Sequence, residues 1–189
     1  MRARIMVVGI VAGATVWAFA PQMALASDPT DLPIVGGSLG ITAEPTAPNF
    51  AQITLNGVAQ TAQVSLSVFE VNDARGSGAG WHVTAQASRF AEHNGTIYVP
   101  LGKQLPLNSL TMSAPTVAQD GTTSANPSIT GGAPYTIDSG SAVTIASAAV
   151  DAGMGKYDFS ATNLTVSVPS SAYARTYRSD LTVSVVSGP

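Results

Sequence analysis

The sequence predicts an all-β fold, which we expect to be a two-sheet antiparallel β-sandwich with at most one short helix. Three observations support this prediction. Charged residues make up only 10% of the 189 residues, while the β-branched and small uncharged residues typical of strands with polar outer faces dominate. Several segments alternate apolar and polar residues with the period of two that a half-buried strand requires. Glycine-rich and Asn-Gly turn sequences separate those segments.

The first 26 residues predict a secretory signal peptide, which is absent from the mature protein. Arg2 and Arg4 precede an apolar run over residues 5–20, and Ala24-Leu25-Ala26 supplies the small residues of a cleavage site. We expect cleavage after Ala26. A retained N-terminal anchor helix is the alternative, and it would leave the rest of the chain on the same side of the membrane. No second apolar run is long enough to span a bilayer, so no membrane span is expected in the mature chain.

The mature chain, residues 27–189, has a length that fits one domain. We expect residues 27–48 to be a leader containing proline and glycine with a possible edge strand, and residues 49–189 to be the sandwich. Without the signal peptide, six Lys and Arg stand against eleven Asp and Glu, a formal charge of −5. This acidic balance, without a basic patch, argues against nucleic acid as a partner. The chain has no cysteine, so core packing rather than disulfides must stabilise it.

The predicted strands follow from the alternating segments. In each one, apolar side chains occupy every second position, so that one face is buried and the other contacts water. The first segment, around Leu39 and Ile41, would be an edge strand that ends at Pro45. His93-Asn94-Gly95 predicts a hairpin turn, because Asn-Gly readily adopts positive φ angles. In chain order the predicted strands are segments 39–41, 52–56, 63–68, 81–87, 164–168 and 181–185.

Three connecting segments complete the prediction. Residues 72–80, which contain three glycines, link the 63–68 strand to the strand that begins at Trp81. Residues 114–141 are rich in Ser, Thr, Gly and Pro, which predicts a long surface excursion. The sequence SAAVDAGM, residues 147–154, is the best candidate for a short helix.

The sequence argues against catalysis. It has two histidines, His82 and His93, and no thiol. It has no Gly-x-Ser-x-Gly nucleophile turn, and His82 is expected to be solvated on the polar face of its strand. No spacing indicates a zinc site or a calcium loop, although calcium held by scattered Asp side chains and carbonyls stays open. We therefore predict no enzyme, no cofactor and no metal. The sequence shows no pattern that would bring two carboxylates together for glycoside cleavage. The candidate acidic residues are Glu70, Asp73, Asp138, Asp151 and Asp158.

Two segments resemble the WxL domain, a surface module of Gram-positive bacteria that attaches non-covalently to the cell wall. They are VNDARGSGAGWHVTAQASRF, residues 71–90, and TYRSDLTVSVVSGP, residues 176–189. Where the family has a second Trp-x-Leu motif near the C-terminus, this chain has Val183-Ser184-Val185. The first family motif has the form D-x-R-G-small-G-x-G-W, followed by x-Val/Leu-Thr, and stands here as Asp73, Arg75, Gly76, Gly78, Gly80, Trp81 and Val83.

The resemblance implies a secreted, non-enzymatic β-sandwich that associates with the cell wall through peptidoglycan. The family's motif residues, including Val183 and Val185, are then the first candidates for the binding site. Family members also act beside other surface proteins. The alternative function is therefore a structural or interaction protein that docks on another exported protein.

Two interpretations of Trp81 remain open, a core residue and a stacking surface for a ligand. Trp81 shares its face with Val83 and two small alanines, which favours the core. Arg75 is close enough in sequence to pair with Asp73 or to lie over the indole. Two interpretations of the glycine loop also remain open. It is either a stabilised connection between strands or part of a contact with the wall or with a partner protein. His82 and Gln86, on the opposite face of the strand, are further contact candidates.

Overall fold

A computed structural model describes residues 30–121 and 126–188. The predicted signal peptide and residues 27–29 lie outside the described residues. The chain divides into two compact units, residues 1–33 and 34–189. The described part of the first unit is exposed and has no regular secondary structure, and every strand belongs to the second. No helix long and apolar enough to cross a membrane occurs among the described residues.

The described residues of the second unit form 14 β-strands, which confirms the predicted all-β class. The residues that the structure describes contain no helix. The strands are β1 (Leu39–Ala43), β2 (Gln60–Leu66), β3 (Phe69–Asp73), β4 (Trp81–Ala87), β5 (Ala91–Glu92), β6 (Leu110–Met112), β7 (Val117–Asp120), β8 (Ser128–Ile129), β9 (Tyr135–Thr136), β10 (Val143–Ala148), β11 (Gly155–Phe159), β12 (Thr162–Val168), β13 (Tyr177–Arg178) and β14 (Leu181–Ser187).

The strands form four antiparallel sheets. The β3 sheet has the order β1-β3-β11-β7, the β4 sheet β14-β4-β10-β8 and the β12 sheet β2-β12-β6-β9, while β5 pairs with β13. Most neighbours within a sheet are distant in sequence, so the chain crosses repeatedly between sheets, as in a sandwich. The predicted edge strand is confirmed as β1, which lies at the end of its sheet and stops two residues before Pro45.

Aromatic side chains from two sheets meet in the core. Trp81 of β4 packs against Tyr157 and Phe159 of β11, with ring centroids 5.9 and 6.5 Å apart. Phe69 of β3 stacks on Phe159 at 4.5 Å. The two Trp81 contacts join the β3 and β4 sheets, whereas the stack of Phe69 on Phe159 lies within the β3 sheet. Because aromatic rings bury the largest apolar areas of any side chains, the Trp81 contacts contribute strongly to the attraction between the two sheets.

Period-two alternation predicts the strands correctly where one face is buried. The segments 81–87, 164–168 and 181–185 correspond to β4, β12 and β14. Segment 63–68 corresponds to β2, but that strand ends at Leu66, and Val68 is 60% exposed between β2 and β3. The predicted turn at His93 is confirmed, because His93 and Tyr98 form a β-bridge around it.

Four predictions about other segments are wrong. Residues 52–56 form no strand, and Leu55 is partly exposed. Residues 147–154 are not helical, because β10 runs to Ala148 and a turn follows it. The connection before Trp81 begins after Asp73 rather than at residue 72, since β3 extends to Asp73. Outside residues 122–125, which the structure does not describe, segment 114–141 is not a surface excursion. It contributes β7, β8 and β9 and buries Tyr135, Ile137 and Asp138.

Asp138 is fully buried, and its hydrogen bonds connect the 114–141 segment to the start of β6. Its carboxylate accepts hydrogen bonds from the Ser109 N–H at 3.0 Å, the Ser109 hydroxyl at 3.0 Å and the Leu110 N–H at 3.1 Å. A buried carboxylate is stable only when such donors replace water. The residue therefore has a structural role at the start of β6.

We expect Asp138→Ala to lower the free energy of unfolding by about 3 kcal/mol, because the substitution leaves three interior donors without their acceptor. Urea denaturation followed by tryptophan fluorescence measures the loss. Asp158→Ala, at an exposed position of β11, is the matched control and should stay within about 0.5 kcal/mol of the wild type. Equal stability of the two variants would contradict the assigned role.

Candidate functional site

The structure brings the two halves of the motif together. Strand β14 pairs with β4 along its whole length, with Val185 opposite Val83 and Val183 opposite Ala85. Val183 and Val185 are half-buried because β14 lies at the edge of its sheet. The sequence placed both halves on apolar strand faces but did not indicate that they are neighbours.

Trp81 is fully buried, which confirms its interpretation as a core residue. Its indole Nε1–H donates a hydrogen bond to the carbonyl oxygen of Gly153 at 2.8 Å. The backbone at Gly153 passes so close that an added Cβ would lie 2.7 Å from the indole nitrogen. The polar atom of the indole is therefore satisfied inside the protein, and the ring presents no face to a ligand.

The glycines before Trp81 allow the loop to lie against the turn after β10. Gly78 has a φ of +63°, and its carbonyl accepts a hydrogen bond from the Asp151 N–H at 2.8 Å. Gly80 has a φ of +70°, and an added Cβ would lie 2.5 Å from the carbonyl oxygen of Ala148. Only glycine adopts this backbone conformation without cost at such a close approach. Gly76 also has a positive φ but faces open space.

Arg75 pairs with Asp73 rather than lying over the indole. Its Nε and Nη2 atoms donate to the two carboxylate oxygens of Asp73, each at 2.8 Å. Nη2 also donates to the carbonyl of Gly80 at 2.8 Å, and Nη1 donates to the hydroxyl of Ser187. One guanidinium therefore links the end of β3, the glycine loop and the end of β14.

The electrostatics of the pair follow from its burial. Asp73 is only 2% exposed, so its negative charge needs a partner. The hydrogen bonds from the Arg75 side chain hold the pKa of the Asp73 carboxyl below its ordinary value, against the opposing effect of burial. The same hydrogen bonds raise the pKa of Arg75. Both groups are therefore charged across the physiological range.

The opposite face of the motif strands is polar and without charge. His82 is half-buried rather than fully solvated, and its Nδ1 lies 2.8 Å from the carbonyl oxygen of Gly188. Because a carbonyl only accepts, Nδ1 carries the proton and Nε2 is the acceptor in the neutral ring. Gln86 is exposed and contacts the Gly140 carbonyl at 3.4 Å. Neither β4 nor β14 contains Asp, Glu, Lys or Arg, and His82 is the one residue with an ionisable side chain in these two strands.

The outer side of the β3 sheet is different, because it carries a network of charges. The Nζ of Lys156 lies 2.9 Å from a carboxylate oxygen of Glu70 and 3.2 Å from one of Asp120. Hydrogen bonds from Thr42 and Lys156 lower the pKa of Glu70. The charged and the neutral surfaces of the protein therefore lie on different sheets.

Both histidines contact backbone groups in the structure. His93 is buried, and its Nδ1 accepts from the Gly95 N–H at 3.0 Å, so the ring stabilises a turn. Within residues 30–121 and 126–188, neither histidine forms an ion pair with a carboxylate, and no three acidic, histidine or cysteine side chains gather as metal ligands. The arrangement can form non-covalent contacts.

Sequence reasoning missed an open cavity of about 1230 Å³ between residues 47–55 and residues 172–181. Its rim carries Arg175, whose Nε lies 3.3 Å from Glu92, and Asp180, which accepts from the Tyr98 hydroxyl at 2.6 Å. The only available sequence signal was the alternation over residues 52–56, which the structure leaves outside every sheet. The apolar floor comprises Phe90, Leu105, Leu110, Leu164 and Val166.

Comparison with known families gives a match to one family model. The family model for the WxL domain, described as surface cell wall-binding, matches residues 28–189. The match includes all 14 strands and both halves of the motif. The comparisons with curated proteins and with solved structures each returned no match.

We expect Trp81→Ala to lower the free energy of unfolding by about 3–5 kcal/mol, because it opens a cavity between the β3 and β4 sheets. Trp81→Phe should cost less, since it keeps most of the ring contacts and loses the hydrogen bond to Gly153. Thermal and urea denaturation measure both. Gln86→Ala, on the exposed face of the same strand, is the control. An unchanged melting curve for Trp81→Ala would contradict the core role.

The Asp73–Arg75 pair predicts a pH dependence of stability. The pKa of Asp73 is lower in the folded protein than in the unfolded chain, so the pair stabilises the fold at pH values above the ordinary Asp range. That contribution is lost as the pH falls through the lowered pKa.

We therefore expect the free energy of unfolding of the wild type to fall more steeply than that of Asp73→Asn between about pH 5 and pH 2. At neutral pH the variant should be the less stable protein. Urea titrations at a series of pH values give both curves. Glu44→Gln, which alters an exposed carboxylate, should follow the wild type. Parallel wild-type and Asp73→Asn curves would exclude the linkage.

Proposed function

The chain belongs to the WxL domain family, and on this premise we propose that it is a secreted, non-enzymatic module that attaches non-covalently to peptidoglycan. Cell-wall binding at the surface is the property of the family as a whole. Export, peptidoglycan as the ligand and the absence of catalysis are our proposals for this chain. The predicted signal peptide supports export, and the two histidines, which contact backbone groups rather than carboxylates, support the absence of catalysis.

The observation that carries the proposal is the uncharged polar face of the paired motif strands. Thr84, Gln86 and Ser184 lie on this face, which also carries the exposed Val186 opposite His82. Hydroxyl and amide side chains both donate and accept hydrogen bonds. They therefore match the hydroxyl and N-acetyl groups of a neutral glycan strand, which offers no charge to pair with.

This arrangement assigns different roles to the two faces of β4. Trp81 is buried and stabilises the strand, so sugar stacking on its ring does not contribute to binding. The outward residues, including His82 and Gln86, supply the contacts. Each hydrogen bond to a sugar replaces one to water and contributes only about 0.5–1.5 kcal/mol. Attachment then depends on several such contacts together and is reversible by denaturant.

A second candidate function, docking on another exported protein, is favoured by the open cavity with its apolar floor. Leu105 and Leu164 in that floor would suit apolar side chains of a partner better than a glycan. In this case the wall would retain the module only through the partner.

A sedimentation assay tests the proposed function. We expect the protein secreted from cells that express the full-length chain to pellet with isolated cell walls and with peptidoglycan stripped of protein, and to be released by denaturant. Thr84→Ala combined with Gln86→Ala should weaken retention, because it removes three hydrogen-bonding groups. Asn72→Ala, on the charged β3 sheet, is the matched control and should bind as the wild type.

The outcomes separate the two functions. Retention on untreated walls but not on stripped peptidoglycan would favour docking on another exported protein. Protein that stays in the supernatant with every wall preparation would refute wall attachment. Release of soluble fragments from peptidoglycan would refute the non-enzymatic assignment.

A further inference from the structure

The chain contains two Asn-Gly pairs, Asn56-Gly57 and Asn94-Gly95, and both lie in exposed turns. In such a pair the glycine nitrogen can attack the side-chain amide carbon of the asparagine, because the atoms between them close a succinimide ring with loss of ammonia. Glycine favours this reaction, since it has no side chain to shield its nitrogen. The two turns differ in the groups that surround the reacting atoms.

At Asn94 the attacking nitrogen has a base beside it. The backbone N–H of Gly95 donates a hydrogen bond to Nδ1 of His93 at 3.0 Å. Because a backbone N–H only donates, Nδ1 carries no proton and is the basic nitrogen of the ring. His93 is only 5% exposed, and its ring packs edge-on against Tyr98 with centroids 5.3 Å apart. The base is therefore held in one orientation, with Nδ1 at the Gly95 nitrogen.

The side-chain carbonyl of Asn94 is also prepared for attack. Its Oδ1 accepts hydrogen bonds from the Thr96 N–H at 3.0 Å and the Ile97 N–H at 2.9 Å. Attack at the amide carbon moves negative charge onto this oxygen, and donors that are already in place stabilise the charge as it develops. The Asn94 N–H donates to the Ile97 carbonyl at 3.1 Å and fixes the turn. Nucleophile, base and oxyanion donors thus meet within residues 93–97.

We propose that Asn94 is a site of self-catalysed deamidation, with His93 as the base. His93 takes the Gly95 N–H proton as the Gly95 nitrogen forms a bond to Cγ of Asn94. The Cγ–Nδ2 bond then breaks, and Nδ2 leaves as ammonia with that proton, which water can carry at this exposed turn. Water next adds to one of the two imide carbonyls and opens the ring. The product has an aspartate or an isoaspartate at position 94, and nothing is oxidised or reduced.

The modification places a negative charge at the open cavity, because His93 and Gly95 both line it. A neutral amide becomes a carboxylate in either product. Isoaspartate also inserts a methylene into the backbone, which disturbs the β-bridge between His93 and Tyr98. The reaction needs no second protein, so its extent increases with the age of the molecule. This inference does not depend on wall attachment.

Asn56 provides a matched control within the same chain. Its Oδ1 also accepts two hydrogen bonds, from the Val58 N–H at 3.2 Å and from Nε2 of Gln60 at 3.0 Å. Gly57 has a φ of +84°, close to the +97° of its counterpart in the other turn, and neither glycine crowds a neighbour. Among the residues that the structure describes, however, no group accepts a hydrogen bond from the Gly57 N–H. The base is therefore the main difference between the two sites.

Peptide mapping by mass spectrometry compares both sites in one sample of protein secreted from cells that express the full-length chain. Each deamidation gives a measurable increase in peptide mass. During incubation of the folded protein at neutral pH, we expect Asn94 to convert at least about tenfold faster than Asn56, because a positioned base accelerates proton transfer. In urea-unfolded protein the two rates should agree within about threefold, since the base is no longer held at the Gly95 nitrogen.

His93→Gln tests the base directly. Glutamine keeps an oxygen acceptor for the Gly95 N–H but is not basic. Conversion of Asn94 should therefore slow by at least about tenfold, while conversion of Asn56 stays unchanged. Melting curves establish that the variant is folded. If it does not fold, the ratio of the two rates in folded and in unfolded wild-type protein decides.

Folded wild-type protein in which Asn94 converts no faster than Asn56 would overturn the proposal. A folded His93→Gln variant that deamidates at the wild-type rate would overturn it as well. Wall sedimentation is measured independently of these rates, so this proposal and the proposed function fail separately.

Discussion

The guanidinium of Arg75 holds together the region on which the motif depends. It neutralises the buried Asp73 at the end of β3, bonds to the Gly80 carbonyl and reaches Ser187 on β14. Gly80 is the residue directly before Trp81, so the same contacts fix where the indole enters the core. A planar group with five donors is needed to satisfy partners in three directions at once, and lysine provides no such geometry.

The sequence predicted the part of the fold whose signal is local. Strands β4, β12 and β14 each have one buried and one solvent-facing side, and the alternation of apolar and polar residues in the sequence indicates this directly. Alternation over residues 52–56 did not produce a strand, because periodicity indicates a suitable surface but not the presence of a neighbour. Strands β8 and β9 contain two residues each, too few to show a period. Asp138 could not be recognised, since its donors lie 28 and 29 residues earlier in the chain.

The candidate site was predictable to a similar extent. The motif residues lie together in the structure, and the face that Trp81 shares with Val83 correctly predicted its place in the core. The pairing of β4 with β14, the hydrogen bond to Gly153 and the position of the glycine loop against β10 depend on tertiary structure. No local pattern specifies them. Within β4, the inward side chains therefore determine stability, and the outward side chains are available for recognition.

The pairing of β4 with β14 also has a kinetic consequence. Thr84 lies opposite Ser184, so a loop of about 100 residues must close before these strands meet. Closure of long loops opposes early pairing, and folds rich in such contacts complete in milliseconds to seconds rather than microseconds. During that interval one edge of β4 is unpaired, and Arg75 lacks Ser187. The motif region is therefore expected to be among the last parts of the molecule to reach its native arrangement.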